Sequence, residues 1–254
     1  MISSSQMLSH TAMNDILKSC ELCPRRCGAD RTKTVGFCGG GVLPRLAKAY
    51  LHMWEEPCIS GTRGSGTVFF SGCSLKCCFC QNYPISAEGL GKEITIEHLA
   101  EIFLDLQKQG AHNINLVTPG QWRPWIIAAL DLARAGGLHL PIVCNTGGYE
   151  TVESVHAWRG FIDIWLAYLK YVSPALSAEL SYAICRPDAA ELFAALRNAM
   201  GQSEAVVLLL SPEPAADHPQ RRGNGGGLER TAQTDAALQK QLEARAARMG
   251  LTLG

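Results

Sequence analysis

Cys73-Ser-Leu-Lys-Cys77-Cys-Phe-Cys80 places three thiols at C-x3-C-x2-C spacing directly after the apolar run Val68-Phe69-Phe70. The run predicts a strand and the cysteines a loop at its end. Three thiolates packed this closely suit an iron–sulfur cluster better than a closed zinc site, because one iron of a four-iron cube then lacks a protein ligand. An open iron is where a small molecule binds and is reduced. Cys78 is expected to point away from its neighbours and pack, and Phe79 to help exclude water. The competing readings of the loop are a surface zinc site or reactive thiols without redox function.

A second group, Cys20-x2-Cys23-x3-Cys27-x10-Cys38, supplies four thiolates, enough for tetrahedral zinc or for a complete second cluster. Arg25 and Arg26 are expected to offset their charge. Cys58, Cys144 and Cys185 stand apart. The chain has 11 cysteines, an odd total with eight of them in two clusters, which favours metal ligation over a disulfide scaffold.

The elements that must position these thiols follow from periodicity. Residues 1–19 read as a loose arm or irregular helix, and 20–60, with Gly36 and Gly39-Gly-Gly41, as short loops around a metal. From Gly66 strands alternate with helices. The strands fall at Gly66–Phe70, Asn113–Val117, Pro141–Cys144, Phe161–Leu169 and Ala205–Leu210. Between them lie a helix capped by Thr95 with the apolar face Ile96, Leu99, Ile102, Phe103 and Leu106, a helix over Trp122–Ala135, helical stretches from Thr151, and further helix over 174–200. This alternation calls for a parallel sheet with right-handed crossovers, hence an open or partial β/α barrel of α/β class. Functional sites in such barrels lie at the C-terminal ends of strands, where the Cys73 loop begins. Past Ser211 the chain turns Pro-, Gly- and Arg-rich and reads as linker, with one thin helical stripe over 232–248. The expected organisation is an arm with a cysteine-rich metal-binding segment (1–60), the partial barrel (61–211) and a divergent, partly disordered tail (212–254).

Composition excludes several classes. With 254 residues, 47% apolar and 18% charged, the chain is long enough for one substantial core. Lys plus Arg equals Asp plus Glu at 23 each, so global charge points neither to nucleic acid nor to an anionic membrane. No apolar stretch reaches the roughly 18 residues of a membrane helix. The first residues have neither a basic nor an apolar region, and a cytoplasmic protein is expected. His52, shortly before Glu55-Glu56, is a candidate base or metal ligand weighed against a packing role. His98 lies off the apolar stripe of its helix and is expected in solvent. Gly64-x-Gly66 reads as a tight approach to the first strand rather than a phosphate loop.

The run from Glu55 to Asn82, Glu-Glu-Pro-Cys-Ile-Ser-Gly-Thr-Arg-Gly-Ser-Gly-Thr-Val-Phe-Phe-Ser-Gly-Cys-Ser-Leu-Lys-Cys-Cys-Phe-Cys-Gln-Asn, closely resembles radical S-adenosylmethionine proteins. Within them it is similar to the group related to pyruvate formate-lyase activating enzyme, activases of unassigned substrate. Asn113–Pro119, Pro141–Tyr149 and Asp163–Tyr171 extend the resemblance over about residues 20–200. It implies a 4Fe-4S cluster on Cys73, Cys77 and Cys80. The amino and carboxylate groups of S-adenosylmethionine then chelate the open iron, with the cofactor lying across the strand ends near Thr118, Pro119 and Asn145. Lys170, at a strand end, is a further candidate contact to the cofactor or to a carboxylate. Thr118-Pro119 stands where many relatives carry a Gly-Gly-Glu motif contacting the methionine amino group. Either backbone carbonyls do that work here or the pair is only a strand-terminating turn.

The implied activity is an iron–sulfur oxidoreductase that cleaves S-adenosylmethionine reductively to a 5′-deoxyadenosyl radical. Its target would be a glycine of a partner glycyl radical enzyme, and its electrons would come from a flavodoxin- or ferredoxin-like donor. Two departures stand against this pattern. Tyr168 occupies a position that is acidic in such activases, and the tail replaces the closing β/α structure. The alternative expectation is therefore an impaired iron–sulfur or zinc protein that keeps the fold as a binding module.

Overall fold

The computed structural model of the protein describes residues 10–169, Ala178, Ser181 and the strand 205–210. Lys170, Cys185, the helix expected over 174–200 except Ala178 and Ser181, which are helical, and the whole tail from 212 lie outside the described residues. A helix α1 (His10–Lys18) stands where a loose arm or irregular helix was expected. Among the described residues the core element is a sheet of seven strands: β1 (Arg45–His52), β2 (Ser65–Phe70), β3 (Lys92–Glu93), β4 (Ile114–Val117), β5 (Ile142–Thr146), β6 (Ile164–Leu169) and β7 (Ala205–Leu210), in the order β3-β1-β2-β4-β5-β6-β7.

Strands β2, β4, β5, β6 and β7 are mutually parallel, as the alternating pattern requires. The expectation of an all-parallel sheet is corrected at one edge. β1 pairs antiparallel with β2, and β3 antiparallel with β1. β1 lies inside the segment expected to be metal-binding loops, which is a second correction. Its sequence, Arg-Leu-Ala-Lys-Ala-Tyr-Leu-His, alternates over its last residues, and a register shift between Leu46 and Lys48 breaks the run that would have advertised it. β6 starts at Ile164 rather than Phe161, because Phe161 and Ile162 close the turn after Trp158 through backbone hydrogen bonds.

The helices form for local reasons. After the single-turn α3 (Tyr83–Ser86), α4 (Ile96–Lys108) starts at Thr95, whose hydroxyl accepts from the His98 amide, and carries Lys108 in its last turn. α5 (Arg123–Ala135) begins with Pro124 in its first turn and ends at Gly136. The short α6 (Val152–Ala157) is capped by Thr151 onto the Ser154 amide. Both α4 and α5 bury one face: Leu99, Phe103, Leu106, Trp122, Trp125, Ile126 and Leu130 pack on Val68, Phe70, Ile114, Leu116, Ile142, Cys144 and Trp165. Burying one such large side chain contributes about 1.5–3 kcal/mol.

That packing gives the sheet two unlike faces, since side chains alternate along a strand. The helix-covered face is apolar. The other carries Lys48, Tyr50 and His52 from β1, Thr67 and Phe69 from β2, Asn115 and Val117 from β4, Val143 and Asn145 from β5, and Ile164, Leu166 and Tyr168 from β6, as the pairing register dictates. The segment after β1, with its single-turn helix α2 (Pro57–Ser60), folds back over this face, and Ile59 packs on Val143 and Leu166. No helix among the described residues is long and apolar enough to cross a membrane.

Phe103 is fully buried between the helices and the sheet. Phe103→Ala is expected to cost about 3–5 kcal/mol, read as a lowered midpoint in urea denaturation.

Candidate iron–sulfur site

The cysteine loop leaves the C-terminal end of β2, and its first residues are gripped by backbone and side chains from four directions. Ser71 donates its amide to Arg45 O and Gly72 donates to Ile85 O. Trp122 Nε1 donates to Ser71 O at 3.0 Å and Gln121 Nε2 to Gly72 O at 3.0 Å. Cys73 N donates to Cys38 O at 3.2 Å, joining the two cysteine groups directly. Gly72 has φ +83°, and a Cβ there would lie 2.1 Å from Cys38 O, so the approach of the two segments requires glycine.

Within the loop, Cys77 is buried with Leu75 and Tyr149, and Cys73, Phe79 and Cys80 pack half-buried against them. Phe79 therefore does help shield the loop. Cys78 is exposed, which corrects the expectation that it packs. Each of the three spaced sulfurs has a hydrogen-bond partner: Leu75 N donates to Cys73 Sγ at 3.4 Å, the Ser181 hydroxyl to Cys77 Sγ at 2.9 Å, and Ser86 Oγ lies 3.2 Å from Cys80 Sγ. Donors of this kind stabilise thiolates and tune the potential of a cluster bound to them. No three His, Cys, Asp or Glu side chains among the described residues converge at metal distance. By donor chemistry the loop still fits a cluster: its cysteines are all free thiols, three of them on one loop within hydrogen-bonding reach of N–H and O–H groups.

The strand-end turn beside the loop holds another sequence candidate. Thr118 takes φ +56°, a left-handed conformation that costs a β-branched residue on the order of 1–3 kcal/mol. Its amide donates to Asn145 O at 2.9 Å. Pro119 then leads into the short 3-10 turn Gly120–Trp122, the turn that clamps the cysteine loop. Thr118, Pro119 and Asn145 are thus adjacent and lie at the same end of the sheet as the loop. Beneath the turn sits Glu150, buried, accepting from Thr146 Oγ1 at 2.9 Å and Ser154 Oγ at 3.0 Å. Burial pushes its carboxyl up, against the lowering effect of those two hydroxyls. A Cβ on Gly120 would meet that carboxylate at 2.7 Å.

In the first cysteine group, Cys20, Cys23 and Cys38 are buried and Cys27 is exposed. A Cβ on Gly36 would lie 3.5 Å from Cys38 Sγ and 3.6 Å from Cys27 Sγ, so these two sulfurs flank one small residue. Burial pushes the Cys23 thiol up to about 12 and raises Cys38, whereas backbone N–H groups and Arg31 bring Cys27 below its ordinary value despite partial burial. The charge partner differs from expectation. Arg26 is exposed, and buried Arg25 donates to Ser74 O at 2.6 Å while lying 3.4 Å from the Phe37 ring centroid. Arg31 instead reaches Cys38 Sγ at 3.8 Å, donates to Gln121 O at 3.1 Å and lies over Trp122 and Trp125. Its distance in sequence from those tryptophans hid it.

His52 sits at the end of β1, with its ring against Phe69 and Tyr50. Burial, then the Lys48 charge, lowers its pKa, which favours neutral imidazole in a packing role. His98 is exposed beside Glu101, as expected. Glu55, passed over as a site residue, is the centre of a polar group: Asn115 Nδ2 donates to its Oε2 at 2.8 Å and Asn145 Nδ2 to the same oxygen at 3.3 Å. The Tyr168 hydroxyl lies 3.4 Å from Glu55 Oε1 and 3.2 Å from Glu56 Oε1. The Glu55-Glu56 pair was visible; its partners on three strands were not.

Comparison with known proteins bears on the same loop. Residues 60–120 match a family described as a 4Fe-4S single cluster domain. An uncharacterized protein of Methanocaldococcus jannaschii is 30% identical over 179 residues, covering 66% of this chain and 50% of the relative. This chain therefore spans about half the length of the relative it matches. The domain match supports an iron–sulfur protein of mixed α/β fold with a 4Fe-4S cluster.

Gly72→Ala is expected to destabilise the protein by more than about 1 kcal/mol, because φ is positive and the Cys38 carbonyl blocks the added carbon. Chemical denaturation reads the loss, and iron content after anaerobic reconstitution should fall with it.

Proposed function

We propose that this chain is a radical S-adenosylmethionine oxidoreductase, with Cys73, Cys77 and Cys80 holding a 4Fe-4S cluster and the fold a partial β/α barrel. The observation that carries the reading is a coincidence of place. The segment that resembles a 4Fe-4S single cluster domain contains three free, hydrogen-bonded thiols at the C-terminal end of a parallel strand, beside the strained Thr118 turn. When bound, the cluster supplies one electron to the sulfonium of S-adenosylmethionine, and the cleavage yields methionine and a 5′-deoxyadenosyl radical.

The residues of this chain have their own tasks in that chemistry. Leu75 N–H and the Ser86 and Ser181 hydroxyls stabilise charge on the three sulfurs. Leu75, Phe79 and Tyr149 form the apolar patch that keeps water from them. Thr118, Pro119 and Asn145 offer backbone and side-chain groups to the bound cofactor, with Lys170 following β6. Cys20, Cys23, Cys27 and Cys38 form a second metal site, zinc or iron–sulfur, whose thiolate charge Arg31 offsets. The resemblance to activating enzymes extends the reading to hydrogen abstraction from a glycine of a partner glycyl radical enzyme, with electrons from a flavodoxin- or ferredoxin-like donor.

Anaerobic reconstitution followed by iron and sulfide analysis, with dithionite-driven 5′-deoxyadenosine assayed alongside, tests this. The wild-type protein should form a cluster and 5′-deoxyadenosine. Cys73→Ala, Cys77→Ala and Cys80→Ala should each abolish the product, and Cys78→Ala should leave it. A cluster that never cleaves S-adenosylmethionine would favour the impaired binding module, and zinc without iron would overturn the reading.

A further inference from the structure

We propose that the sheet face turned away from the helices holds a binding site for a primary ammonium group, built by Glu55, Glu56, Asn115 and Tyr168. Its role as the substrate site rests on the radical reading above; its affinity for an amine does not. The site is assembled by topology. Asn115, Asn145 and Tyr168 come from the neighbouring strands β4, β5 and β6 on one face, and the segment after β1 folds back to bring both glutamates onto them.

Two observations together identify the missing partner. First, no cation among the described residues pairs with either glutamate. The ion pairs among the described residues are Lys33–Asp30, His98–Glu101 and Lys108–Asp105, none of them at this site. Glu55 is held by two amides and a phenol, and Glu56 by the same phenol, whose single proton serves only one of them at a time. Second, Asn115 is fully buried, and while its Nδ2 binds Glu55, the Oδ1 at the other end of that amide has no hydrogen-bond partner. An unfilled buried acceptor costs about 1–3 kcal/mol. The group thus offers acceptors from two carboxylates and an amide, and lacks donors and positive charge.

A primary ammonium supplies both, with three N–H donors around a compact charge. A guanidinium fits less well, because its planar fork prefers both oxygens of one carboxylate, and those of Glu55 are already engaged. The adjoining strands add an aromatic wall. Tyr50 and Phe69 stack with centroids 5.8 Å apart, and the chain's own Lys48 ammonium lies 4.6 Å from the Phe69 centroid.

The test is binding of n-butylammonium to the reconstituted protein, followed by thermal shift and calorimetry at matched ionic strength, with n-butanol as the neutral isostere. n-Butylammonium should raise Tm and n-butanol should not. Glu55→Gln should weaken binding by about tenfold or more, with the cluster absorbance unchanged. If Glu55→Gln loses that absorbance, Glu56→Gln, whose carboxylate receives only the Tyr168 hydroxyl among the described residues, carries the same expectation. Equal responses to amine and alcohol, or unchanged affinity in Glu56→Gln, would overturn the site. Displacement of the amine by S-adenosylmethionine would also overturn it, by making the pocket part of the cofactor site. S-Adenosylmethionine cleavage without amine binding would sink this proposal and leave the radical reading standing. Amine binding without cleavage would support the site and remove its radical role.

Discussion

The hydrogen bonds that hold Ser71, Gly72 and Cys73 are the constraint on which the rest of the site depends. A cysteine loop has little structure of its own, and its position is decided where it leaves the sheet. There the two carbonyls of Ser71 and Gly72 accept from Trp122 and Gln121, and the Cys73 amide donates to Cys38. Three segments distant in sequence are tied at one point: the first cysteine group, the start of the loop and the turn after β4. Buried hydrogen bonds of this kind are expensive to leave unmade, which makes the junction rigid.

Strain and burial are concentrated around that junction. Thr118 carries the left-handed backbone that turns β4 into the clamp, and Gly120 makes room for the Glu150 carboxyl below it. Arg31 is inserted between Cys38, Gln121 and the two tryptophans, a cation that opposes but does not cancel the rise that burial imposes on the Cys38 thiol. The helices α4 and α5 support this from behind with the apolar face of the sheet.

The parallel strands, the capped helices and the cysteine spacing were legible in the sequence, because each is written in local periodicity or in adjacent residues. Thr95 and Thr151 announced their helices, and Val68-Phe69-Phe70 announced the strand before the loop. β1 was not legible, since its irregular register interrupts the alternation that marks a strand. Nor was the exposure of Cys78, which depends on how the loop packs rather than on its neighbours in sequence.

What the sequence by itself determined is the inventory: three closely spaced thiols, four more ahead of them, and a sheet with crossover helices to carry them. Tertiary structure alone decided the partnerships. Arg31 rather than Arg26 meets the first cysteine group, Cys38 meets Cys73, and Glu55 meets Asn115, Asn145 and Tyr168. The physical reason is that spacing along the chain specifies which groups can share a loop or a helix turn. Apart from Arg31 on Cys38, these contacts span 35 to 113 positions and are set by strand order and by the two faces of the sheet.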